Sequence, residues 1–283
     1  MQRATASHQK AANVKAFEYK MIGAAAGCVD RYLELAKTTI DKLKKVATPC
    51  IDDHLIAPED FISKGALSPV AARIVLKALY LSRLARPDLL WTVNTLAREV
   101  TKWTVACDKR LHRLISYIHH TKNYVMTSYV GDKPSQCKLM LFCDAGFAGD
   151  LVDSKSTGGA VLCLVGPRTF CPVTWICKKQ GAVSHSSSEA EIIAMDAAMR
   201  LEGLPALIFW DLVLDVFDDK QKGSKARGNP TAKMDLETDT PYKILQDVDY
   251  VPTSAQAPDG KAELIIMEDN DAVIQMCIKG RSL

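Results

Sequence analysis

The stretch KLMLFCDAGFAGDLVDSKSTGGAVLCLVGPRTFCPVTWICKK, residues 138–179, decides how this chain is read. Apolar residues alternate through much of it with a period near two, the period at which side chains of a β-strand point to opposite faces. Residues 138–144, 159–165 and 169–177 read as three strands, and the turn Gly166-Pro167-Arg168 makes the last two a hairpin. Just upstream, Gly131-Asp132-Lys133-Pro134 marks a change of period from 3.6 to 2, so a new domain is expected to begin there.

Working outward, the N-terminal side is helical. Residues 21–46 carry Ile22, Ala26, Val29, Leu33, Ile40 and Leu43 at helical spacing. Further helices are predicted over 69–86, 88–102 and 105–121, with Arg86-Pro87 ending the first of these because the residue before proline is pushed out of the helical region. Residues 1–20 are expected to be disordered. On the C-terminal side, helices are predicted over 186–201 and 205–217, a strand over 263–267 and a last helix over 271–278. Between them, residues 218–261 are polar, dotted with Gly and Pro and mixed in charge, and read as a flexible insertion.

Composition narrows the classes. Of 283 residues, 48% are hydrophobic and 24% charged, so a folded core is expected. A net charge of +3 is too small to argue for nucleic acid on bulk electrostatics, so any such case rests on local residues. Nine cysteines without a CxxC pair suggest neither a disulfide framework nor a zinc knuckle, and fit a reducing compartment. No signal peptide or stretch of about 20 apolar residues is present, so the expectation is a cytoplasmic or nuclear protein with no membrane partner.

Three carboxylates fall at the edges of regular elements: Asp144 where the first strand of the stretch ends, Glu189 in the first turn of the following helix, and Asp269 where the last strand ends. Carboxylates from separate elements can converge into the oxygen-rich set that hard divalent cations require. Each also has a plain structural reading. Glu189 with the serines before it fits a helix capping box, as does Ser188 with Glu191; Asp144 can end a strand, and Asp269-Asn270 can cap a helix. His119, His120 and His185 lack an acid or thiol at ligand spacing. Gly158-Gly159 reads as a turn rather than a phosphate loop.

Taken as strings, CDAGFAGDLVDSKSTGG (143–159), VTWICKKQGAVSHSSSEAEIIAM (173–195) and MEDNDAVIQM (267–276) resemble, in order, the ribonuclease H region of copia-type retrotransposon Pol polyproteins. Upstream, LSRLARPDLLWTVNTLAREV (81–100) and LHRLISYIHHTKNY (111–124) resemble the segment joining reverse transcriptase to ribonuclease H, and residues 28–49 resemble the end of the polymerase portion. The resemblance runs from about residue 18 onward. It implies an α/β fold: a ribonuclease H-like mixed sheet of three antiparallel strands plus a parallel fourth, with flanking helices, over 137–283. A helical remnant of the thumb or connection would precede it over 21–130.

The resemblance further implies metal-dependent hydrolysis of the RNA strand of RNA–DNA hybrids. Asp144, Glu189 and Asp269 would be the catalytic, metal-binding carboxylates and two Mg2+ ions the cofactor, with Mn2+ as a substitute. Lys155, Lys178 and Lys179 are candidate phosphate contacts, and the rest of a polyprotein is an expected partner. Departures are Gly146-Phe147 for the family's Asp-Trp, Ser188 for its Thr, and the wide gap between Glu189 and Asp269. The family carries a further acidic or histidine position beyond the last helix, so the domain is expected to be truncated at its C-terminus. Asp153, Glu191 and Asp271 stand open as replacements for that position. The polymerase's paired-aspartate motif is absent. The alternative expectation is an inactive transposon-derived fragment that at most binds nucleic acid.

Overall fold

The computed structural model describes residues 13–150, 153–217 and 260–280. Its frame is one six-stranded sheet in the order β1-β2-β5-β4-β3-β6. The strands are β1 (Lys15–Tyr19), β2 (Met126–Val130), β3 (Lys138–Gly146), β4 (Thr157–Gly166), β5 (Thr169–Lys179) and β6 (Leu264–Met267). β3, β4 and β5 form an antiparallel meander, while β6 lies parallel to β3, with Leu139 opposite Leu264 and Phe142 opposite Met267. The result is an α/β fold whose mixed sheet has one parallel pair.

Four helices separate β1 from β2: α1 (Ile22–Leu35), α2 (Ala71–Leu84), α3 (Leu90–Arg98) and α4 (Val105–His120). They enclose one apolar cluster around Ile74, Leu81, Leu96, Leu111 and Ile115, all fully buried. The second cluster lies between the sheet and α5 (Ser187–Ala198) with α6 (Leu204–Phe217), where Leu139, Leu141, Leu162 and Ala198 meet. The two halves touch directly. Trp175 of β5 donates its indole N–H to the carbonyl of Ser82 at 2.9 Å, and Asn94 of α3 donates to the carbonyl of Cys177 at 2.9 Å.

Several expectations need correction. Residues 15–19, within the span read as disordered, form β1, paired with β2 from Lys15 opposite Val130 to Tyr19 opposite Met126. Residues 1–12 lie outside the described residues, as do 218–259, most of the stretch read as an insertion. The helix predicted to reach residue 46 ends at Leu35, because Lys37 turns left-handed (φ 49°) and the amide of Thr38 returns to the carbonyl of Leu33. The two helices predicted on either side of residue 203 instead run on through a π-helical turn, Met199–Gly203. Pro205 has no N–H to offer the turn before it, which favours such a wide turn. Gly158 and Gly159, read as a turn, lie inside β4. A Cβ on Gly158 would come within 2.8 Å of the Ala194 Cβ, so glycine is what lets α5 lie this close to the strand.

Candidate metal centre

β3 and β6 run parallel with Phe142 opposite Met267, so Asp144 and Asp269 each come two positions beyond a paired residue, side by side at the same end of the sheet. Helix α5 crosses this end on the face covered by the second apolar cluster. Its inward stripe is Ala190, Glu191, Ala194 and Ala198. The small alanines bring its backbone close to the sheet and carry Glu191 in with them.

Carboxylate oxygens of Asp144, Glu191 and Asp269 lie within 4.8 Å of one another. The two aspartates are exposed and Glu191 is only 7% exposed. Burial, reinforced by the negative charges of Glu268, Asp144 and Asp269, pushes the Glu191 carboxyl up to about 7 from 4.5, although an amide hydrogen bond from Ala145 pulls the other way. Glu268 is also held above the usual carboxylate range, first by its own burial. One oxygen of Glu268 accepts the amide of Asn270 at 3.1 Å. The other, and Oε2 of Glu191, are buried with no hydrogen-bond partner among the described residues. Unpartnered buried carboxylate oxygens are costly. An all-oxygen set crowded with negative charge fits hard divalent cations such as magnesium better than it fits zinc or copper.

Of the residues singled out in the sequence, Asp144 and Asp269 come together and Glu189 stays outside. Oε2 of Glu189 accepts the amide of His185 at 2.7 Å, while its own amide donates to the hydroxyl of Ser186 at 3.1 Å. This is a reciprocal cap at the start of α5. Glu191, two residues on, enters the cluster in its place. Helical spacing held the signal: positions 191, 194 and 198 are i, i+3 and i+7 on one face, and position 189 is not.

The lysines divide. Lys179 donates to Asp150 at 2.5 Å and Asp153 at 2.7 Å, bonds that hold its ammonium above its ordinary range against the downward pull of burial. Lys155 stands 3.8 Å from Asp153, and Lys178 is exposed. Asn270 supports the junction after β6, accepting the amides of Ala272 and Val273 and, at 3.4 Å, the hydroxyl of Ser188 from the start of α5.

With this geometry in place, relatives among curated proteins become informative. The Pol polyprotein of transposon RE1 from Arabidopsis thaliana is 30% identical over 159 residues, 56% of this chain, and that of transposon RE2 is 31% identical over the same length. The chain is a relative of retrotransposon Pol polyproteins. This Pol relative spans about 10% of the length of those two polyproteins. The secreted RxLR effector protein 161 of Plasmopara viticola is 32% identical over 120 residues, which cover 42% of the Pol relative and 80% of the effector, so the two belong to one family. No protein-family model and no solved structure matches the Pol relative. Among its described residues no helix is long and apolar enough to cross a membrane.

Proposed function

We propose that the chain is the ribonuclease H portion of a retrotransposon polyprotein, hydrolysing the RNA strand of an RNA–DNA hybrid. The observation that carries this reading is the meeting of Asp144, Glu191 and Asp269, from a strand, a helix and a second strand, within 4.8 Å. The parallel placing of β6 beside β3 and the Pol relatives support it.

In this reading the three carboxylates hold two divalent cations, Mg2+ or Mn2+, which supply activation of a water and neutralisation of the leaving oxygen in an in-line displacement at phosphorus. Asp144 and Asp269, exposed at the strand ends, offer oxygens on the open side where a phosphodiester can approach. Glu191 closes the buried side and fixes the depth of the site. Glu268 adds negative charge beneath it. Asn270 and Ser188 tie the β6 terminus to the start of α5, so that two of the three ligands keep their spacing. Selection of the RNA strand rests on contacts to its 2′-hydroxyls. In this reading Lys178, the exposed member of the three lysines, is the candidate phosphate contact.

Cleavage of a labelled RNA–DNA hybrid in magnesium tests the assignment. Asp144→Asn and Glu191→Gln are expected to lower the rate by at least a hundredfold, and Glu189→Gln to leave it within about threefold. Loss with Glu189→Gln but not Glu191→Gln would overturn the ligand assignment. Hybrid binding with no cleavage by a folded wild-type chain would overturn the hydrolytic reading in favour of a binding module.

A further inference from the structure

Far along the chain from the carboxylates, α2 presents a second surface with its own chemistry. Its sequence, AARIVLKALYLSRL, contains no acidic residue. The inward face buries Ala71, Ile74, Val75, Ala78 and Leu81. The outward face interleaves cations with bare apolar groups: Arg73, Leu76, Lys77, Tyr80, Arg83 and Leu84 are all exposed, Leu76 and Tyr80 each to 60%. Single exposed apolar residues are ordinary on a protein surface. Here they alternate with positive charge along one face, which calls for a ligand that is flat and apolar in one part and anionic in another.

The surface is concave where α1 meets α2. A cavity of about 550 Å³ there is lined by Ala24, Arg31, Arg73, Leu76, Lys77 and Tyr80, with three cations and no carboxylate. Arg73 has no ion-pair partner among the described residues. Arg31 pairs with Glu34, whose side chain is 63% exposed, and so exposed a pair gives way readily to a stronger anion. The Lys77 ammonium rests on the carbonyl of Gly27 at 3.2 Å, a neutral partner that leaves its charge uncompensated. Arg73 and Lys77 are one turn apart, about 6 Å along the helix, and Tyr80 follows at the next turn.

The geometry points to a binding site for single-stranded nucleic acid on this face, with a base stacked on Tyr80 over Leu76 and the backbone phosphates on Arg73, Lys77 and Arg31. Stacking on an aromatic ring within a basic groove is how sequence-tolerant single-strand binding works. A base pair inside a duplex does not offer its π-face, so the exposed tyrosine selects single strands. The site is separate from the metal centre and does not rest on the hydrolytic reading.

Fluorescence anisotropy of a labelled single-stranded DNA of about 15 nucleotides tests this, with the full chain in EDTA so that no cleavage occurs. Arg73→Glu with Lys77→Glu is expected to weaken binding at least tenfold and to reduce the salt slope by roughly 1.4, at about 0.7 per lost phosphate contact. Tyr80→Ala is expected to weaken it at least fivefold with the salt slope unchanged. Each exposed substitution should leave the melting temperature unchanged, and Lys133→Glu, elsewhere on the surface, serves as the charge control. Binding that none of these variants alters overturns the site, as does equal loss with Lys133→Glu. A blunt duplex bound as tightly as the single strand, and equally weakened by Tyr80→Ala, overturns the single-strand assignment. A change in oligomeric state with unchanged DNA binding marks the face as a protein contact and overturns it as well.

Discussion

Glu191 is a charge placed where the fold can least support one. It is 7% exposed, one of its oxygens has no hydrogen-bond partner among the described residues, and three other carboxylates surround it. Because its folded pKa of about 7 lies above the 4.5 of a free glutamate, the native state holds the proton more tightly than the unfolded chain. Its favourable contribution is therefore complete below about pH 4.5 and is lost as pH rises through 7. Glu191→Gln should then raise the metal-free stability at pH 8 by about 1–3 kcal/mol, with little effect at pH 4.5, in thermal melts across pH. The same variant should lose most of the stabilisation that millimolar magnesium gives the wild type. A melt in which Glu191→Gln destabilises at pH 8 and keeps the magnesium response would show that the residue is an ordinary structural acid. Five residues earlier, Ser186→Ala removes the acceptor for the Glu189 amide and should cost about 1 kcal/mol with the magnesium response intact. The sequence made Glu189 and Glu191 equally visible. Telling them apart needed the helix phase fixed by Ala190, Ala194 and Ala198, and the serine run drew attention to the cap instead.

Elements with strong periodicity were legible almost to their ends. The span predicted as 105–121 is α4 (Val105–His120), and the three central strands fall where alternation put them, each longer by a few residues. β1 and β2 escaped because neither has the pattern of a strand with one buried face: all five residues of β1 are exposed, and in β2 only Ser128 is buried. The contact between α5 and β4 is where packing and site geometry meet. Gly158→Val inserts a side chain where even a Cβ comes within 2.8 Å of Ala194, so α5 must lift from the sheet or the strand must bend. We expect about 1–3 kcal/mol of destabilisation, read by chemical denaturation, together with a magnesium affinity reduced by more than that loss alone explains. Normal magnesium affinity in a folded Gly158→Val chain would mean that α5 does not set the depth of Glu191.

At the scale of the molecule, a helical cluster and a sheet cluster are joined by named contacts. Arg86, 3% exposed, ends α2 and binds Asp88 as well as the carbonyl and hydroxyl of Thr121 at the end of α4. Arg86→Met leaves the buried Thr121 carbonyl without its donor and should cost about 1–3 kcal/mol by denaturant titration. Between the halves, the indole of Trp175 on Ser82 and the amide of Asn94 on Cys177 supply the polar stitches. Calorimetry of wild type is expected to show one transition and that of Asn94→Ala with Trp175→Ala two; a single transition in both would place the coupling in the β2–β5 edge instead.

The order of strands across the sheet has a consequence for biosynthesis. Among the described strands β6 is made after all the others, yet its place is beside β3, which leaves the ribosome much earlier. At about 5–20 residues per second, Asp144 waits many seconds for Asp269. During that interval the edge of β3 that β6 will cover is open, and the crowding around Glu191 is only partly assembled. The nascent chain therefore passes through a stage that is less strained than the finished protein and more inclined to pair with a neighbour.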